Sequence, residues 1–380
     1  MEPRPGIGGE EERAGPLPSR ILMTTDCVGG IWDYALTLAG ELGRRGMEVE
    51  LAVIGKPAGD QIAHASTIPG LTLHARDYRL EWMPEAAADV FLSGQWLMEL
   101  EHELKPDLVH VNGYAHAALP FRVPVLAVGH SCVRSWFADV KGGDAPEEYD
   151  TYGEAAARGL ASADMVVTPT FAMMAALERH YGPVRRGRVV PNGRDPDAFT
   201  PGAKEDLVLS AGRAWDEAKN ILTLDAVAPS LCWPVAVAGE WRHPGGAERR
   251  PGNVACLGRV PASEMWGWYA KAGIFCLPAR YEPFGLAILE AALSGCALVL
   301  GDIPSLRELW KGAACFVRPD DRDGLKRSLN ALIADPARRA DMGAQARIRA
   351  KRYSAAAMAE GYLAAYAELL AEPRRQILAA

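Results

Sequence analysis

A chain of 380 residues exceeds what one hydrophobic core usually holds, so two domains of comparable size are expected. Its 49% hydrophobic and 23% charged residues exclude a largely disordered chain, and a net charge of -7 excludes wholesale nucleic-acid binding. The seven cysteines are odd in number, widely spaced and without a C-x-x-C pair, which excludes a disulfide frame and fits reduced, buried thiols in a cytoplasmic protein.

Residues 1–19, MEPRPGIGGEEERAGPLPS, are rich in Gly, Pro and Glu and lack the apolar centre of a signal peptide, so they read as a disordered leader. From residue 20 the pattern is β-α-β: RILMTT is strand-like, IWDYALTLAGELGRRG has helical apolar spacing and ends at Gly46, and EVELAVIG is a strand again. Buried-strand runs follow at GLTLHA, DLVHVN, VPVLAVGH, DMVVTPT and GRVVPNG, as in parallel sheets covered on both faces. After the Pro/Gly/Asp-rich stretch near residues 192–206 the pattern restarts with LVLSAGR, PVAVAGE, NVACLG, GIFCLP, CALVLG and AACFVRP. The end of the chain, around YSAAAMAEGYLAAYAELL, has helical spacing and is long enough to reach back over the first domain. The expected fold is α/β, with two doubly wound Rossmann-like domains facing a cleft: residues 20–195, residues 196–352, and a returning helix in 353–380. No apolar run reaches the ~20 residues that a membrane-spanning helix needs.

One stretch asks a chemical question. ARYEPFGLAILEAALSGCALVLGD places Glu282 before Pro-Phe-Gly and Glu290 inside an otherwise apolar helix that Gly295 closes. Such a helix is buried all round, so Glu290 must have a partner. Ribose hydroxyls would serve, and so would an internal arginine or a backbone N–H. The helix start, with free N–H groups and Gly285 allowing close approach, suits a phosphate. Arg213 and Lys219 follow the strand LVLSAG and could hold a diphosphate, although an isolated pair of cations is more often solvated surface. The Gly29-Gly30 pair ends a strand and opens a helix, and His130 ends VPVLAVGH, where a histidine is often merely hydrogen-bonded.

Other motifs have plainer readings. The D-x-D pairs Asp195/Asp197 and Asp321/Asp323 sit in a turn or before a helix and read as caps. His102, His110 and His116 lack metal-ligand spacing. Neither G-x-G-x-x-G nor a Walker motif occurs, and GHSCV lacks the second glycine of a nucleophile elbow.

Taken together, RYEPFGLAILEA resembles the E-x7-E signature of the retaining glycosyltransferases of family 4, which have the two-Rossmann GT-B architecture. SAGRAWDEAKN resembles that family's G-R-(x)5-K phosphate motif, VVPNGRDPDAF its I-P-N-G-V-D-x-x-x-F hinge, and VGGIWDYALTLAGELGRRGMEVEL its first β-α-β unit. PSLRELWKGAACFVRPDD resembles the stretch after its donor site. The departures are Ala-Trp-Asp-Glu-Ala ahead of Lys219, and Ala279 where the family often has Ser.

The resemblance implies transfer of a hexose-like unit from a nucleotide diphosphate sugar to an acceptor hydroxyl, with retention, without metal or other cofactor. It implies that Glu290 takes the ribose hydroxyls and Glu282 the donor sugar. The Phe284, Gly285 and Leu286 backbone and the Gly29-Gly30 loop would line the donor, Arg213 and Lys219 would clamp its diphosphate, and His130 would lie near the reacting sugar. Asp26, Trp32 and Trp136 are expected on the acceptor side, facing a glycan, a lipid-linked glycan or a small molecule. Arg44, Arg45, Arg185 and Arg186 suggest at most a weak peripheral membrane contact. A sugar-nucleotide epimerase or hydrolase on the same fold, and a nucleotide-sugar-binding protein without turnover, remain as alternatives.

Overall fold

The computed structural model describes residues 16–242 and 250–372. Residues 1–15 of the expected leader and 373–380 of the expected last helix lie outside the described residues. The first half runs β1 (Arg20–Asp26), α1 (Gly30–Arg44), β2 (Glu48–Ile54), α2 (Gly59–Ala65), β3 (Leu71–Arg76), α3 (Ala87–Leu104), β4 (Leu108–Val111), β5 (Val125–Val128), α4 (Val133–Lys141), α5 (Asp150–Ser162), β6 (Met165–Thr168), α6 (Phe171–Tyr181) and β7 (Gly187–Val189). The second runs β8 (Glu205–Ala211), α7 (Ile221–Val227), β9 (Val235–Ala238), β10 (Ala255–Gly258), α8 (Ala262–Lys271), β11 (Ala272–Leu277), α9 (Leu286–Leu293), β12 (Ala297–Gly301), α10 (Pro304–Trp310), β13 (Cys315–Val317), α11 (Arg322–Ala334) and α12 (Pro336–Ala350). The helix α13 (Ala355–Ala371) closes the described chain.

The strands form two parallel sheets, ordered β3-β2-β1-β4-β5-β6-β7 and β10-β9-β8-β11-β12-β13. Each sheet starts at an inner strand, winds outward, then jumps back to the other side of that strand. The strand order therefore reverses between β1 and β4 and between β8 and β11, where the connecting loops diverge and leave a crevice at the carboxyl edge. Continuous apolar runs such as Ala-Gly-Ile-Phe-Cys-Leu in β11 are buried along their whole length, as strands covered on both faces require.

The helix α13 packs on α1 and places Met358, Ala359, Tyr362, Ala365, Tyr366 and Leu369 in the core of the N-terminal sheet. The chain crosses between the sheets twice, side by side: Arg194 N–H donates to Tyr353 O at 3.1 Å and Ala355 N–H donates to Arg194 O at 2.9 Å. The first aspartate of each D-x-D pair is a cap, with Asp195 accepting from Asp197 N–H at 3.0 Å and Asp321 from Gly324 N–H at 2.7 Å.

Three expectations need correction. Trp32 is 3% exposed inside the N-terminal core, because it shares one face of α1 with Ala35, Leu36 and Ala39, and so offers no ring for sugar stacking. All seven cysteines are free thiols, but only Cys132, Cys276 and Cys296 are buried, and Cys232 is exposed. Arg44 and Arg45 pair with Glu41, and Arg186 with Glu368 and Glu372, so most of the suggested basic patch is neutralised locally. Among the described residues, no helix is long and apolar enough to cross a membrane.

Candidate functional site: the crevice between the two sheets

On the C-terminal side, β8 is followed by Gly212 at φ +152, where an added methyl would press on Lys219 Cγ at 3.3 Å. The chain then turns through Arg213 to Lys219, and Asn220 at φ 56 starts α7. This loop is bonded to the one after β11: Asn220 Nδ2 donates to Pro278 O at 2.8 Å, and Arg280 N–H donates to Ala218 O at 2.8 Å. Those bonds bring Lys219 Nζ within 2.6 Å of Glu282 Oε2, with side chains 18% and 11% exposed. Arg213 donates to Asp216 Oδ2 at 2.8 Å and lies 4.9 Å over the Trp215 ring. The two cations expected to clamp a diphosphate thus each rest on a carboxylate.

Gly285, at φ 88, leads into α9, and an added methyl there would meet Ile288 Cδ1 at 2.7 Å. The first backbone bond of the helix is Leu289 N–H to Gly285 O at 3.1 Å, so the N–H groups ahead of it open the helix toward the crevice. The Phe284 side chain is 3% exposed in the C-terminal core, which leaves its backbone as the part that can face a ligand. Glu290 is bonded to Arg194 Nε at 2.7 Å, and the Tyr269 hydroxyl is a further partner. Burial pushes the Glu290 carboxyl up, against the opposing pull of the Arg194 charge.

The N-terminal sheet supplies the opposite wall. Gly29 has φ 85, and methyl groups added at Gly29 and Gly30 would lie 3.9 Å from Arg213 Nη1 and 3.6 Å from Leu286 Cδ1. The glycine loop and the start of α9 therefore face each other at van der Waals distance. Asp26 is 9% exposed and accepts from Val28 N–H at 2.8 Å. Burial pushes its carboxyl up to about 6, although the Val28 N–H and Arg213 pull the other way.

His130 Nε2 lies 2.8 Å from Asn112 Oδ1, and Asn112 Nδ2 donates to Thr24 O at 2.7 Å, which fixes that amide's orientation. The imidazole therefore donates through Nε2 and keeps Nδ1 as an acceptor. Burial pushes His130 down to about 3, so it is neutral near pH 7. Trp136 lines the same crevice, its indole N–H 3.4 Å from Asp216 Oδ1. Tyr281 reaches across it, its hydroxyl accepting from Cys132 N–H at 3.1 Å and from Ser135 Oγ at 2.9 Å.

The structure thus gathers Arg213, Lys219, Glu282, Gly285, Leu286, Gly29 and Gly30 around one space and leaves Trp32 out. Sequence reasoning missed Arg194, Asn112, Tyr281 and Asp216. Arg194 carried a signal: it stands where the resembled hinge motif has Val. Among the described residues no three His, Cys, Asp or Glu side chains gather as metal ligands. A hollow of about 420 Å³ opens beside the glycine loop, lined by Cys27, Val28, Lys56, Asp77, Arg79 and Asp89 among others.

Two Rossmann-like domains with their switch points turned to a common crevice form the GT-B architecture. The chain belongs to the family 4, group 1 glycosyltransferases: the model described as Glycosyltransferase Family 4 matches residues 28–198, and Glycosyl transferases group 1 matches residues 196–349. It is 27% identical to a D-inositol 3-phosphate glycosyltransferase of Xylanimonas cellulosilytica, over 89% of this chain and 92% of that protein. Its fold is similar to sucrose-phosphate synthase from Thermosynechococcus elongatus, with TM-score 0.76 and 19% identity over 93% of this chain and 99% of that one. It is also similar to Anabaena HepE in complex with UDP-glucose, with TM-score 0.69 and 18% identity over 92% and 99%.

Proposed function

We propose that this glycosyltransferase moves a hexose from a uridine diphosphate sugar to an acceptor hydroxyl with retained configuration and without a metal ion. The observation that carries the reading is the Lys219–Glu282 pair at 2.6 Å, with Glu282 packed beside Gly285 at the start of α9. A diphosphate–sugar bond lying there meets a cation at its phosphate and a carboxylate at its sugar hydroxyls. The uridine and the hexose are taken from the ligand of the HepE complex.

The C1–O bond to the β-phosphate breaks, and the charge on the departing diphosphate is met by Arg213, Lys219 and the first N–H groups of α9. The acceptor hydroxyl bonds to C1 from the same face, and its proton passes to the departing phosphate oxygen. No carboxylate is needed as a nucleophile, in contrast to retaining glycosidases. His130, neutral and fixed by Asn112, accepts a sugar hydroxyl bond through Nδ1 and holds the ring in place. Asp26 and Trp136 border the acceptor, a small polyhydroxylated molecule that enters by the hollow at Lys56 and Arg79. The inositol phosphate named for the relatives is of this class.

The test is mass spectrometry of the full chain incubated in chelator with UDP-, GDP-, ADP- and dTDP-sugars, beside Glu282→Ala. Slow release of UDP from one UDP-sugar, absent in the variant, is expected. An isomerised donor would point to the epimerase instead, and no turnover across the panel to a binding protein.

A further inference from the structure

Arg194 lies where the two crossings between the sheets run side by side, and its guanidinium, 11% exposed, reaches both domains. Nε donates to Glu290 Oε1 at 2.7 Å, on the helix α9. Nη1 donates to Thr37 Oγ1 at 2.9 Å and to the Asp33 backbone carbonyl at 3.3 Å, and Nη2 stands 3.7 Å from the Asp33 carboxylate. Asp33 and Thr37 belong to the first two turns of α1, the helix that begins at Gly30. A valine at this position could make none of these side-chain bonds.

We propose that Arg194 is a positioning residue for the nucleoside half of the donor: it aims the Glu290 carboxylate at the ribose hydroxyls and ties it to α1, so that ribose capture and seating of the Gly29-Gly30 loop occur together. The inference rests on the proposed donor reading, with Glu290 as the ribose ligand that the family resemblance implies. A carboxylate offers about four lone-pair sites, and those taken by Arg194 and the Tyr269 hydroxyl leave room for two hydroxyl donors. Glu290 otherwise sits among Ile288, Leu289, Ala291 and Ala292, all buried, where an unpaired carboxylate is costly and its conformation is set by nothing charged. The rigid guanidinium fork supplies both the charge and the direction. Because the same fork grips α1, any shift of Glu290 is transmitted to the helix whose N-terminus faces Leu286.

The experiment is calorimetric titration of the full chain with UDP and with 2′,3′-dideoxy-UDP, for the native protein, Arg194→Leu and Arg194→Lys. The native protein should prefer UDP by roughly tenfold or more, the worth of hydroxyl bonds to a charged acceptor. In Arg194→Leu the preference should fall to within about threefold, through a loss of UDP affinity larger than any loss for dideoxy-UDP, since the diphosphate contacts remain. Arg194→Lys, which keeps the charge without the fork, should give an intermediate ratio. An undiminished ratio in either variant overturns the proposal, and the lysine variant decides alone if the leucine variant does not fold. Tighter UDP binding in Arg194→Leu overturns it as well, since the arginine would then compete with the ribose. If the native protein binds dideoxy-UDP as tightly as UDP, Glu290 is not the ribose ligand, and the donor reading falls at that contact first.

Discussion

Lys219 and Glu282 are 63 residues apart in sequence and 2.6 Å apart in space, joined by backbone bonds between the loops after β8 and β11. Removing either charge breaks the pair and one end of the proposed donor contact. Glu282→Gln should lower turnover at least a hundredfold, the scale of losing a contact that strengthens in the transition state. Circular dichroism and a melting curve near native would assign that loss to chemistry rather than folding. The buried histidines make a second prediction. Burial holds His110 and His130 at about 3, against 6.5 for the free side chain, so the unfolded chain takes up protons first as pH falls. Their contribution to stability is complete above pH 6.5 and is lost between about 6.5 and 3. Urea unfolding of His110→Gln should show a shallower loss of stability across that window, and a slope equal to native would contradict it. Glu282, Glu290, Arg213 and Lys219 were legible as candidates because their motifs resemble the signatures of family 4. Asn112 was not legible as the partner of His130, because that contact joins the ends of two different strands.

At the scale of elements, α9 is held by what packs on it. An added methyl at Gly343 of α12 would come 2.4 Å from Gly295 O, at the turn that ends α9. Gly343→Ala should therefore destabilise the fold by about 1–3 kcal/mol, the cost of overpacking a tight contact, read as a shifted urea midpoint. The helix α13 does the same for the N-terminal core. Tyr366 Oη lies 2.6 Å from His110 Nδ1, so Tyr366→Phe should leave a buried ring nitrogen unpaired and cost about 1–3 kcal/mol. Runs such as GIFCLP and CALVLG were legible as strands because burial on both faces leaves no polar position. Trp32 was legible too, on the i, i+3, i+4, i+7 face it shares with Ala35, Leu36 and Ala39, but the aromatic ring suggested a ligand where the spacing indicated core. Edge strand β10 was weaker in outline, since its residues are only partly buried.

Across the whole molecule, contacts between the two sheets' domains converge on the crevice. Tyr281 bonds to Cys132 and Ser135, Lys141 to Glu217 at 2.6 Å, and Thr170 Oγ1 donates to Pro283 O at 3.1 Å. The pairing of Arg194 with Glu290 belongs to this scale, and sequence periodicity carries no information about it because it depends on how one domain sits against the other. The order of motifs along the chain did reveal the two-domain plan, since each sheet restarts with its own inner strand and glycine turn. The most direct measurement is a crystal structure of the full chain with UDP-glucose in the presence of chelator. The account predicts the diphosphate between Arg213, Lys219 and the start of α9, glucosyl hydroxyls bonded to Glu282, and the ribose at Glu290. Donor density elsewhere, for instance in the hollow at Lys56 and Arg79 with the Lys219–Glu282 pair untouched, would contradict it.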